Sequence, residues 1–154
     1  MTSKVLVSAC LLGQPVRYDG QAKPVHHPFL ETLQQRNLII PFCPECAGGL
    51  PTPRPAAEIQ PDGSVKTQRG GDVSAQFQLG AELALKLCQQ NAIQFAILKE
   101  SSPSCGSNWI YDGNFSAVKI AGKGLTAKLL SQHGIKVFSE ENLQQLMLEM
   151  NLMK

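Results

Sequence analysis

Lys4-Val-Leu-Val-Ser-Ala-Cys-Leu-Leu-Gly13 is the stretch that decides the fold. Two valines and a leucine in an unbroken apolar run make residues 4–9 a short, fully buried strand, and Cys10 follows at once. The pattern recurs twice. Leu38-Ile-Ile-Pro-Phe42 runs into Cys43, and a third apolar run, Ile93 to Lys99, is followed by Cys105. Between and after these runs the apolar spacing turns helical. Phe29, Leu30 and Leu33 mark a helix over 29–36; Phe77, Ala81, Ala84 and Cys88 mark one over 75–91, with Ser74 as its expected N-cap. A third helix is expected at 125–132, closed by Gly134 as a left-handed cap. Ile135 to Phe138 reads as a fourth strand, and Ser139 as the cap of a last helix carrying Leu143, Leu146, Met147 and Met150.

Strand and helix in alternation predict an α/β fold: a mainly parallel sheet of about four strands with helices on its faces. In such a sheet ligands collect beyond the carboxyl ends of the strands. The three cysteines that follow strands, far apart in sequence, should therefore meet on one side of the sheet. Met1-Thr-Ser-Lys4 lacks the apolar segment of a secretory signal, so a reducing cytoplasm is the expected setting. Free thiols there point to a metal or a cluster before disulfides. Three protein ligands leave one coordination position open, which is the arrangement of a catalytic site.

A chain of 154 residues suits one domain, taken as residues 1–154. With 43% hydrophobic and 17% charged residues it has the composition of a globular protein and not of a disordered one. A net charge of +2 without a basic run leaves no nucleic-acid stripe. No apolar segment approaches the ~20 residues of a membrane span. Three Gly/Pro/Ser-rich stretches, 10–28, 44–71 and 100–123, read as long loops. The second should hold a short hairpin around Asp62-Gly63, and the third a turn at Asp112-Gly113 and a short strand over Val118–Ala121. A loop as long as 44–71 in a compact domain is usually either functional or disordered, and its stiff prolines argue for a fixed shape.

Each candidate residue has an ordinary alternative. Cys43-Pro-Glu-Cys46 is formally a C-x-x-C, either a redox dithiol or half of a zinc knuckle. A zinc knuckle needs a second pair, which is missing, and His26-His27 are adjacent and share no helix face. One of the two cysteines then reads as incidental. Cys88, on an apolar helix face, reads as a packing residue. Ser101-Ser-Pro-Ser-Cys-Gly106 offers hydroxyls beside a thiol, with Gly106 allowing close backbone approach. Glu45, two residues from Cys43, is a carboxylate placed for proton transfer. Arg17, Asp19, Arg54 and Asp112 are charged loop residues that either bind a substrate or pair with one another.

Read together, Val7-Ser-Ala-Cys-Leu-Leu-Gly13, Arg17-Tyr-Asp-Gly20, Cys43-Pro-Glu45, Gly48-Gly-Leu-Pro-Thr-Pro-Arg54, Leu98-Lys-Glu-Ser-Ser-Pro-Ser-Cys-Gly106 and Ile110-Tyr-Asp-Gly113 resemble the small bacterial family that includes thiouracil desulfurase. The resemblance spans about residues 4–140. It implies a Rossmann-like three-layer fold with long cluster-binding loops, and a [4Fe-4S] cluster held by Cys10, Cys43 and Cys105 with one open iron. It marks Glu45 and Ser101 as catalytic. The implied reaction is non-redox hydrolysis of a thiolated pyrimidine such as 2-thiouracil to uracil and hydrogen sulfide, in a protein loaded by the iron–sulfur assembly machinery. Cys46 departs from the family pattern, in which a non-cysteine commonly follows Cys-Pro-Glu. The competing readings are a zinc protein using Cys10, Cys43, Cys46 and Cys105, and an iron–sulfur module without desulfurase activity.

Overall fold

Four parallel strands form the centre of the computed structural model, which describes residues 4–150. They are β1 (Val5–Ser8), β2 (Ile39–Phe42), β5 (Phe95–Leu98) and β8 (Lys136–Ser139), in the order β2-β1-β5-β8. Val5 stands opposite Ile39 on one side and Phe95 on the other, so β1 is hydrogen-bonded along both edges. That position explains its unbroken apolar sequence, since a parallel strand covered on both faces has no side open to water. All four strands fall where the apolar runs predict them. Met1–Ser3, on which the expectation about a signal segment rests, lie outside the described residues.

Helices cover both faces. α1 (Pro28–Gln35) and α5 (Leu143–Met150) pack on one, where Val5, Val7 and Ile97 meet Phe29, Leu33, Leu143 and Leu146. α3 (Ser74–Gln90) and α4 (Leu125–Gln132) pack on the other, where Leu6, Ala96 and Leu98 meet Ala84, Cys88, Ala127 and Leu130. Alternate residues of β1 thus serve opposite layers, as the period of a strand requires. Cys88 is 1% exposed among these side chains, and burial pushes its thiol up to about 11. It packs, as its helix face predicts. Among the described residues no helix is long and apolar enough to cross a membrane.

The loops hold more structure than their composition suggests. The hairpin expected at Asp62-Gly63 is present as β3 (Ala57–Ile59) and β4 (Val65–Thr67). The predicted strand near 118–121 is β7 (Lys119–Ala121), and its partner β6 (Trp109–Tyr111) was not predicted. A single helical turn, α2 (Pro44–Ala47), also escaped the periodicity because one turn has no period. Two expected caps are corrected. Ser74 is the first residue of α3, and its hydroxyl accepts the Val65 amide at 2.8 Å, tying the helix to β4. The Ser74 amide is taken by Asp72 instead. Ser139 ends β8, and its hydroxyl accepts the Glu141 amide in the turn that precedes α5 at Leu143. Gly134, with φ 81°, closes α4 as predicted.

Candidate functional site

Beyond the carboxyl ends of β1, β2 and β5 lies a cavity of about 760 Å³. Cys10, Cys43, Cys105, Glu45 and Ser101 all line it, whereas Cys46 and Cys88 do not. The convergence expected from strand order is therefore found. Cys10 sits in a 3-10 turn, Ala9–Leu12, that leaves β1 and is closed by Gly13 at φ 95°. Cys43 follows β2 and precedes α2, whose first position is Pro44, where the missing N–H costs nothing. Cys105 lies in the loop after β5, with its amide on the Ser102 hydroxyl at 3.2 Å.

Two glycines press the Cys43–Glu45 turn against α3. A Cβ on Gly80 would stand 2.0 Å from the Pro44 carbonyl oxygen, and one on Gly48 would stand 2.1 Å from that of Gln76. Neither position tolerates a side chain without moving backbone. Gly106 behaves alike: a Cβ there would meet the Trp109 carbonyl oxygen at 2.4 Å, which bears out the close approach read from the sequence.

Glu45 is held by Arg54, whose guanidinium is only 4% exposed and donates to the Glu45 carboxylate. The same guanidinium donates to the carbonyls of Val16 and Pro51 and to the Thr52 hydroxyl. Burial works against the Arg54 charge, but Glu45 beside it outweighs that and raises the guanidinium above its ordinary value. Arg54 thus fixes the carboxylate and staples the 10–28 loop to the 44–71 loop. Cys43 and Cys46 both face the Val16 carbonyl, at 4.0 and 3.8 Å, and Cys46 also contacts the Thr52 hydroxyl at 3.5 Å.

All five cysteines are free. Burial pushes the Cys43 thiol up to about 12, raises Cys105 strongly and raises Cys10, there opposed by the charges of Lys99 and Arg17. Burial acts in the same direction on Cys88, so what sets Cys10, Cys43 and Cys105 apart is their shared place on the cavity wall. Among the described residues no three His, Cys, Asp or Glu side chains are grouped to hold one metal ion. The three thiols instead line one cavity together with Arg17 and Lys99, and an all-thiol donor set with cations beside it fits the chemistry of an iron–sulfur cluster.

Ser101 is 8% exposed and adopts φ 69°, rare for a serine. Phe115 and Ala117, also at positive φ, line the same cavity; such backbone strain gathers at functional sites. Beside Ser101 stands Glu100, which the sequence reading missed. That carboxylate, 2% exposed, accepts the amides of Ser101, Ser107, Asn108 and Trp109 at 2.9 to 3.2 Å and the Ser107 hydroxyl at 2.8 Å. Burial raises its pKa, but the bonds from Asn108, Ser107, Trp109 and Ser101 outweigh it and leave the group below its usual value. A depressed folded value means stability fully present above the unfolded carboxylate range and lost as pH falls through the folded value. Glu100→Gln is expected to cost about 1.5–3 kcal/mol at pH 7. The gap to the wild type should narrow below pH 4 in denaturant melts of apoprotein, and a pH-independent gap would show that charge is not what the loop needs.

The remaining candidates find ordinary partners. Arg17 pairs with Asp19 at 3.7 Å, and Asp112 accepts the Asn114 amide in its turn. His27 caps α1 through the Phe29 amide. Glu58, buried at the cavity wall, accepts the Gly113 amide at 2.9 Å and so joins the β3–β4 hairpin to the Asp112-Gly113 turn.

Three comparisons bear on this site. The sequence model of a family described as 2-thiouracil desulfurase matches residues 5–142. An uncharacterized protein of Bacillus subtilis, YbbK, is 38% identical over 152 residues, covering 93% of this chain and 99% of its own. A solved structure described as the [4Fe-4S]-dependent thiouracil desulfidase TudS superposes with a TM-score of 0.94 at 56% identity, over 97% of this chain and 99% of that one.

Proposed function

The chain belongs to the 2-thiouracil desulfurase family, and on that premise we propose that it is a [4Fe-4S]-dependent thiouracil desulfidase working as one domain. Its substrate is a thiolated pyrimidine such as 2-thiouracil. One observation carries the reading. Three free thiols from three adjacent strand ends line one cavity together with Glu45 and Ser101, while the other two cysteines stay off it. The family membership and the likeness to a [4Fe-4S]-dependent relative support the cofactor.

Cys10, Cys43 and Cys105 would hold the cluster. When bound it supplies one iron without a protein thiolate, a Lewis acid suited to a soft thiocarbonyl sulfur. Glu45, kept in place by Arg54, takes a proton from water as the water oxygen attacks the thiocarbonyl carbon. Ser101 hydrogen-bonds the substrate, its backbone held by Glu100. The carbon exchanges sulfur for oxygen and the sulfur leaves as hydrosulfide. Thiouracil and water thus become uracil and hydrogen sulfide with no net transfer of electrons. Cys46, which contacts the Thr52 hydroxyl and keeps off the cavity wall, would stay outside the ligand set. The setting is the reducing cytoplasm, where the iron–sulfur assembly machinery loads the protein.

Anaerobic holoprotein given 2-thiouracil without reductant is expected to release uracil and hydrosulfide in equal amounts. Apoprotein should release neither. A stoichiometric demand for reductant would replace hydrolysis with reductive C–S cleavage, and turnover by apoprotein would remove the cluster from the reaction.

A further inference from the structure

Ser8 ends β1 with its side chain turned towards the thiol wall of the cavity, 3% exposed. Its hydroxyl oxygen accepts the Lys99 amide at 2.9 Å. That bond occupies the oxygen and leaves the hydroxyl proton to be placed elsewhere. Its one acceptor among the described residues is the Cys105 sulfur, 3.7 Å away.

We propose that Ser8 is a positioning residue for the reaction: it donates a hydrogen bond to the Cys105 thiolate and thereby sets how strongly that ligand feeds electron density to the cluster. The inference rests on the reading of Cys105 as a cluster ligand. Hydrogen bonds to ligand sulfurs are among the factors that set the electron richness and potential of an iron–sulfur centre. In a non-redox reaction the same withdrawal acts on Lewis acidity, because a thiolate that gives less density leaves the iron a better acceptor for a substrate sulfur.

The surroundings favour such a role. Cys105 is 5% exposed, so water does not compete for its sulfur, and a hydrogen bond in that setting is stronger than one at the surface. Among the described residues Ser8 gives the only hydroxyl bond to any of the three cavity thiols. The hydroxyl is held from behind by a network reaching the far edge of the sheet. Lys99, which supplies the amide, pairs through its side chain with Glu140 at 2.9 Å, and Glu140 accepts the Glu100 amide at 2.8 Å. Cys10 has no such hydroxyl; the cations Lys99 and Arg17 act on it instead.

The test compares wild type, Ser8→Ala and Ser8→Thr as reconstituted holoproteins. Ser8→Ala is expected to keep wild-type iron content, to shift the cluster midpoint potential to more negative values and to lower kcat about tenfold, the scale of one hydrogen bond, with KM little changed. Ser8→Thr, which keeps the hydroxyl, should restore both potential and rate. A measurement on the wild type stands apart from any folding defect: in D2O the iron–thiolate stretching bands of the resonance Raman spectrum should move. A Ser8→Ala potential equal to that of wild type, or wild-type bands indifferent to D2O, would overturn the proposal. The parent reading fails differently, through a Cys105→Ala protein that still carries a full complement of iron.

Discussion

Alanine at Cys10, Cys43 or Cys105, one at a time, is expected to leave a protein that no longer retains iron after anaerobic reconstitution. Activity should fall to that of apoprotein. The expectation follows from position, since these are the thiols that strand ends deliver to the cavity. On the proposed ligand set, two remaining thiolates would not hold a cluster that already has one iron without a protein ligand. Cys46→Ala and Cys88→Ala serve as controls. Cys46 shares the Val16 carbonyl with Cys43 yet keeps off the cavity wall, so its loss should leave iron content and turnover near wild type. Cys88→Ala should cost about 1 kcal/mol of packing and no iron. Iron and sulfide counts on the five variants decide the matter. Cluster loss in Cys46→Ala would mean a site closed by four thiolates, with no iron left for a substrate.

Glu45→Gln should keep the cluster and lose turnover by about 10²–10⁴-fold, the contribution of a positioned base. Glutamine preserves the volume and its carbonyl oxygen still accepts from Arg54, which also keeps its bonds to Val16, Pro51 and Thr52, so the loop staple survives while the negative charge and the proton acceptor are removed together. Sulfide release measured at equal cluster content reads the effect directly, and a rate within a few fold of wild type would take Glu45 out of the chemistry. Ser101→Ala should show a smaller loss, because water can stand in for a hydroxyl that only hydrogen-bonds the substrate.

The apolar runs sufficed for β1, β2, β5 and β8, and helical spacing for α1, α3 and α4, because burial on a sheet or helix face imposes a period that sequence displays. The cysteines were legible for the same reason: a residue just past a strand in a parallel sheet has one place to go. What stayed hidden was set by contacts between loops. Pro44 announces a helix start, but a one-turn helix offers no period to confirm it. β6 is three residues long and buries only Ile110, with Trp109 at 46% exposure, so it is too short to show an alternation. Glu100 looks like any charged residue after a strand. Its part appears only when the loop curls back and aims four amides at one oxygen. Arg54 and Glu45 both drew attention in the sequence, yet their pairing depends on how α2 and the proline-rich loop pack, which no local pattern encodes.

The strand order β2-β1-β5 has a bearing on timing. β1 is made first but lies between two strands that the ribosome delivers later, and its second neighbour comes only after α3 is complete. Cys10 is therefore synthesised long before the sheet exists to bring Cys105 beside it. A chain still emerging has no half-formed pocket to offer, since non-local strand pairing must come first. The meeting of the thiols is then ordered by topology: the sheet closes first, and Cys10, Cys43 and Cys105 line one cavity only in the finished fold.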